Sequence, residues 1–288
     1  MCARLAEADH RVAAADARPE RVARAVLTGA RPAGSPAAAA AGADIVITML
    51  PGPREVGEAM TGAGGALAAM SVGAVWIDIS SNSPAAGREL AAAARARGVD
   101  TLDAPAGGGV AAAEAGTLHL FAGGDRAVLE RCRPVLEAMA ARITHMGGSG
   151  AGYTTKLLVN QLWFTQSLAT AEAMLLAGRA DISLDTFRAA LAGSAAASTF
   201  VREDLGALLD GDYLTTFGLD RCWEELRAIT ALARELGVPS GLAQVTERTF
   251  QRALQRFGPE DGELLAVALL EEQAGLRLRH DSPEAGGR

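Results

Sequence analysis

The chain has 288 residues, a net charge of −7 and 49% apolar residues, a length that favours two domains over one and a composition able to fill a sizeable core. An acidic balance without a basic run argues against nucleic acid or an anionic membrane surface as partner, and no segment reaches the roughly eighteen uninterrupted apolar residues of a membrane span. Three scattered cysteines (Cys2, Cys132, Cys222) and four histidines without ligand spacing exclude a disulfide frame and a metal site, and an N-terminus charged from Arg4, unlike a signal peptide, predicts a cytoplasmic protein.

In chain order, residues 1–8 read as a short helix, 10–16 as a small apolar strand ending in the Asp16 carboxylate, and 19–27 as a second helix. Continuous apolar strands follow at 44–50, closed by Pro51-Gly52-Pro53, and at 74–80. Helical stretches lie at 54–60, 63–70 and 85–97, and short strands at 99–103 and 119–122. Strands without polar alternation, separated by helices of about ten residues, predict an α/β fold with a doubly wound parallel sheet. Beyond Thr154 strand signals stop. Helices are predicted over 152–179, 184–192, 199–209, 219–236, 240–256 and 260–275, with Pro239 and Pro259 near helix starts and Gly237 and Gly258 beyond helix ends. The expected division is an α/β domain over 1–150, an all-helical domain over 151–278 and a disordered tail over 279–288.

Lys156 is the single lysine among 27 basic residues, the other 26 being arginine. What arginine cannot do is lose a proton, whereas a desolvated amine can act as a general acid or base. The lysine follows the glycine-rich run Gly147-Gly148-Ser149-Gly150-Ala151-Gly152, and Asn160, one of two asparagines, lies four residues on, along the same helix face. Gly107-Gly108-Gly109 offer backbone N–H groups that could close on a carboxylate with no side chain in the way; read alone, they are equally a plain turn.

Several motifs, agreeing in order and spacing, resemble the β-hydroxyacid dehydrogenases, the 3-hydroxyisobutyrate dehydrogenase family. Asp103-Ala104-Pro105-Ala106-Gly107-Gly108-Gly109 with Gly116-Thr117-Leu118 and Gly123-Gly124 is similar to the family's substrate signature. The run from Gly147 to Lys156 and Asn160 is similar to its catalytic helix, and Met49-Leu50-Pro51 and Asp78-Ile79-Ser80-Ser81-Asn82 to its cofactor-side loops. The resemblance implies a Rossmann domain over 1–150 and a helical substrate and dimerisation domain over 151–278, with substrate held between them. It implies an NAD(P)-dependent oxidoreductase that interconverts a small β-hydroxy acid and its semialdehyde. Lys156 would be the general acid/base, Gly107, Gly108, Gly109 and Asn160 would bind substrate, and Met49, Leu50, Pro51, Ser80, Ser81 and Glu224 would lie on the cofactor side. A homodimer or homotetramer is expected.

Departures from the family pattern matter too. Gly107 stands where the family usually has serine, and Glu224-Glu225 where it has a Lys-Asp pair, a local change of two charge units at Glu224; Arg221 and Arg227 lie within a helical turn of it. The opening strand and Gly-x-Gly-x-x-Gly turn of a dinucleotide fold have no counterpart here, which suggests a start codon assigned too late and a Rossmann sheet lacking its first strand; if the short form is real, cofactor affinity should be weak or absent. Asp16, ending the second strand of such a fold, predicts NAD over NADP by binding the ribose hydroxyls and repelling the extra phosphate. The alternative is that Asp16 only caps the following helix, with Arg18 within reach of a phosphate. Two further readings stand beside the dehydrogenase: a non-catalytic scaffold homologue, and an imine or carbonyl reductase of the same architecture.

Overall fold

The computed structural model describes residues 1–281, which fall into two compact units, Met1–Lys156 and a second beginning at Leu157. In the first, α1 (Cys2–Glu7), β1 (Ala13–Ala14), α2 (Pro19–Leu27), β2 (Arg31–Pro32), α3 (Pro36–Ala40), β3 (Ile45–Thr48), α4 (Pro53–Thr61), β4 (Val75–Asp78), α5 (Pro84–Arg95), β5 (Asp100–Asp103), β6 (Ala106–Gly107), α6 (Gly109–Ala115), β7 (Leu118–Gly124), α7 (Arg126–Glu137) and β8 (Ala140–Gly147) follow one another. Four of the helices, α2 to α5, carry proline in the first turn, where its missing N–H costs nothing. Ser35, Ser83 and Asp125 accept side-chain hydrogen bonds at the starts of α3, α5 and α7.

Strands β3, β4 and β5 are parallel and in register, Ile45 beside Val75 and Val75 beside Asp100. β4 is buried along its whole length, the mark of a strand covered on both faces. β7 runs antiparallel to β5 and parallel to β8, so the sheet is mixed rather than purely parallel. After β5, Gly108 and Gly109, at φ 112° and 67°, take left-handed backbone and bring the chain back against β5 without the crossover helix that a parallel neighbour needs. β1 and β2 pair in a separate two-stranded sheet, and β3 ends the six-stranded one. Neither β1 nor β3 has a strand on its second edge among the described residues.

The second unit continues α8 (Ala151–Arg179), the helix that starts in the first, and adds α9 (Leu184–Ala192), α10 (Leu205–Asp210), α11 (Leu219–Glu235), α12 (Gly241–Phe257) and α13 (Leu265–Ala274). The helix foreseen over 199–209 is a π-helical turn, Phe200–Asp204, running into α10. The segment 63–70 winds only a 3₁₀ turn, Ala66–Ala68. Phe164, Phe200 and Phe250 are fully buried in the helical core, with Phe164 packed against Phe250 and Trp163 edge-on to both Phe164 and Phe200. Of the tail foreseen as disordered, Arg279 bonds the buried Glu271 carboxylate, and His280 and the Asp281 N–H bond Asp185; residues 282–288 lie outside the described residues. Among the described residues no helix is long and apolar enough to cross a membrane, and no group of acidic, cysteine and histidine side chains could hold a metal ion.

Candidate active site

The first turn of α8 is pinned by two buried carboxylates. Asp103, the last residue of β5, accepts the backbone N–H groups of Gly150 (2.8 Å), Gly152 (2.8 Å) and Tyr153 (3.1 Å). These are donors that a helix start leaves without intrahelical partners, and a negative charge is favoured there by the helix dipole. Burial pushes the Asp103 carboxyl above its ordinary value, against the lowering effect of those N–H groups. Asp78, ending β4, accepts the Tyr153 hydroxyl at 2.7 Å. Lys156 therefore sits three residues beyond a doubly anchored turn.

Such close docking requires Gly152. A Cβ there would lie 2.2 Å from the Phe121 carbonyl oxygen and 2.4 Å from that of Asp103, both backbone atoms of adjoining strands that cannot swing away. Gly152→Ala is expected to cost about 1–3 kcal/mol, the scale of overpacking. Its melting temperature against that of Gly148→Ala, whose Cβ meets nothing within 4 Å, checks this.

Lys156 is half-buried on α8 and Asn160 follows one turn later. Asn160 Nδ2 donates to Glu225 Oε2 on α11 at 2.6 Å. Glu225 is buried while Glu224 faces solvent and pairs with Arg221 at 3.0 Å. The residue that matters around Asn160 is therefore Glu225, which the sequence reading passed over in favour of its neighbour. The phase of α11 could have found it: the buried positions Leu219, Cys222, Leu226 and Ile229 place residue 225 on the inner face. Glu224 instead borders a cavity of about 270 Å³, lined also by Arg227, Thr230, Arg234 and Glu247. The Arg227 guanidinium lies over the Trp223 ring, 4.9 Å from its centre.

Gly107 ends β6, and Gly108 and Gly109 form the entry to α6, both exposed. The other residues expected on the cofactor side lie just past strand ends. Past β3, Met49 and Pro51 are exposed, and the Leu50 N–H donates to the buried Ser80 Oγ at 2.9 Å. Ser81 follows, half-buried, beyond β4. Asp16 stands exposed beyond β1, accepting the Arg18 N–H at 2.8 Å, with the Arg21 guanidinium 3.7 Å away. Its carboxylate thus both serves the entry to α2 and faces solvent at a strand's carboxyl end, where ligands of open α/β sheets bind. The first glycine of the chain is Gly29, so no glycine turn precedes α1 among the residues present.

Residues 1–148 match the family model described as the NAD binding domain of 6-phosphogluconate dehydrogenase, and residues 150–270 that described as NAD-binding of NADP-dependent 3-hydroxyisobutyrate dehydrogenase. The chain is 31% identical over 260 residues to 2-(hydroxymethyl)glutarate dehydrogenase of Eubacterium barkeri, covering 89% of this chain and 86% of that protein. It is 32% identical over 254 residues to 3-sulfolactaldehyde reductase of Escherichia coli (strain K12), covering 88% and 85%. Among solved structures, 3-hydroxyisobutyrate dehydrogenase from Salmonella typhimurium superposes with a TM-score of 0.84 at 27% identity, over 93% of this chain and 94% of that one.

Proposed function

Given that this chain belongs to the 3-hydroxyisobutyrate dehydrogenase family of β-hydroxyacid dehydrogenases, we propose that it interconverts a small β-hydroxy acid and the corresponding semialdehyde, with Lys156 as general acid/base. It is an NAD(P)-dependent oxidoreductase. The observation that carries the finer reading is the placing of the chain's single lysine: half-buried, one turn before Asn160, on a helix whose start is fixed by Asp103 and Asp78.

When bound, the nicotinamide ring supplies the hydride acceptor or donor. In the oxidative direction the neutral Lys156 amine takes the hydroxyl proton as the carbinol carbon gives up its hydride and becomes a carbonyl. In the reductive direction the ammonium returns that proton to the forming alkoxide. Asn160 has one N–H committed to Glu225, which leaves its Oδ1 and second N–H to bind the substrate. The backbone N–H groups of Gly107, Gly108 and Gly109 receive the substrate carboxylate. Met49, Leu50, Pro51, Ser80 and Ser81 lie against the cofactor, with Glu224 at the margin of its site. The test is a screen of small β-hydroxy acids and semialdehydes with NAD(H). A chain that binds NADH yet turns over none of them refutes the reading.

Asp16 sets the preference for NAD over NADP by accepting hydrogen bonds from the ribose hydroxyls. Asp16→Asn is expected to shift the ratio of kcat/KM values roughly tenfold toward NADP, equivalent to about 1.4 kcal/mol, with Arg18 and Arg21 left to meet the phosphate. Equal ratios in the variant and the parent would return Asp16 to a capping role. The protein is proposed to work in the cytoplasm as a homodimer or homotetramer, which light scattering on the purified chain checks.

A further inference from the structure

We propose that Tyr153 is a positioning residue that ties the loops assigned to the cofactor to the first turn of the Lys156 helix, so that loops and helix keep one register. The proposal rests on the cofactor reading just given. Asp78 is the hub. Its Oδ2 accepts the Tyr153 hydroxyl at 2.7 Å and the Asn82 amide at 3.2 Å, and its Oδ1 accepts the Thr48 hydroxyl at 2.8 Å and the Ser80 N–H at 3.0 Å. Ser80 in turn accepts the Leu50 N–H. One carboxylate therefore joins the end of β3, the loop after β4 and α8, and Asp78, Ser80, Asn82 and Tyr153 are all nearly inaccessible to solvent.

Tyr153 is also held from its other side, because its own backbone N–H donates to Asp103. Its ring lies on Gly87, where a Cβ would come within 2.2 Å of Cε2, so the phenol is seated by shape as well as by its hydroxyl. Burial, with the Asp78 charge second, pushes the hydroxyl's pKa far above its ordinary value; it is a permanent donor at any working pH. A charge-assisted hydrogen bond of this kind inside a low-dielectric interior is among the stronger ones a protein makes. Releasing it loosens Asp78, and with it the Ser80 and Asn82 loop on one side and the helix turn before Lys156 on the other.

A purely structural hydroxyl would change only stability. The test is NADH titration by fluorescence on the full chain and on Tyr153→Phe, Asn82→Ala, which removes the amide that donates to the same Asp78 oxygen, and the double variant, with the melting temperature of each. Tyr153→Phe keeps the ring and is expected to weaken NADH roughly tenfold, the worth of one such hydrogen bond. The double variant should bind no more weakly than the weaker single one, because both act through Asp78. A Tyr153→Phe protein that melts earlier but binds NADH like the parent overturns the proposal, as do single effects that simply multiply. A parent chain that binds neither NADH nor NADPH sinks the cofactor reading itself, and this proposal with it. Should Tyr153→Phe not fold, the coupling is read from the other end: Asn82→Ala should speed amide hydrogen exchange in residues 151–156, and unchanged exchange there overturns it.

Discussion

Lys156→Ala is expected to lower kcat in both directions by about a thousandfold, within the span of general acid–base catalysis, while NADH affinity stays near that of the parent. The reasoning is local. Lys156 is half-buried, and the turn before it is held by backbone and tyrosine contacts to Asp103 and Asp78 that do not involve its side chain. Under the proposed role, deleting the side chain removes the proton carrier while the bonds of Gly150, Gly152 and Tyr153 to Asp103 and Asp78 stay in place. Lys156→Arg is the sharper test. A guanidinium restores the positive charge and most of the length, but it stays protonated at every working pH, so it cannot accept the hydroxyl proton and the oxidative rate should remain at the alanine level. The proposed role requires the oxidative rate of the parent to rise with pH and the reductive rate to fall, and both dependences to vanish in Lys156→Ala. An arginine variant that turns over like the parent would place the amine outside the chemistry.

The same residues show what a sequence can and cannot disclose. β3 and β4 were legible because Ile45–Ile47 and Val75–Ile77 are unbroken apolar runs, and such runs between turn signals read as buried strands. α7 was not, since Pro134 inside it reads as a breaker. β8 has exposed Ala141 and Arg142 followed by half-buried Ile143, Thr144 and His145, so it carries neither an alternating nor a continuous apolar signal. β2, two residues long and ending in Pro32, has no periodicity to detect. At the site, Lys156 and Asn160 stood out because their residue types are scarce and their spacing is helical. The Tyr153 to Asp78 bond joins residues 75 positions apart; it exists only once β4 and the start of α8 have been brought together, and neither residue type is unusual. Asp103 and Asp78 were visible as motif members, but their work as acceptors for a helix start depends on how closely Gly152 lets that helix approach.

Asp103→Asn is the second large effect, expected to cost about 2–4 kcal/mol. The carboxylate accepts from three N–H groups, Gly150 on one oxygen and Gly152 and Tyr153 on the other. An amide can turn its single oxygen to one side only and must set its own N–H₂ against the donors on the other, and each buried donor left unmet costs about 1–3 kcal/mol. The kcat should fall with stability, because Gly150 to Tyr153 is the turn that places Lys156. The pH dependence tests a separate point, whether burial or the three N–H groups dominate the carboxyl. Burial raises the Asp103 carboxyl from 3.8 in the folded protein, so between that value and the raised one the native state binds more protons than the unfolded chain. The contribution of this group to stability is thus greatest below pH 3.8 and is lost as pH rises through the folded value. Asparagine does not titrate, so the deficit of Asp103→Asn relative to the parent should be widest in acid and narrow as pH climbs through that window. Melting temperatures of the two proteins across that window decide it, and a deficit that instead widens with rising pH would mean that the N–H groups, not burial, dominate the Asp103 carboxylate.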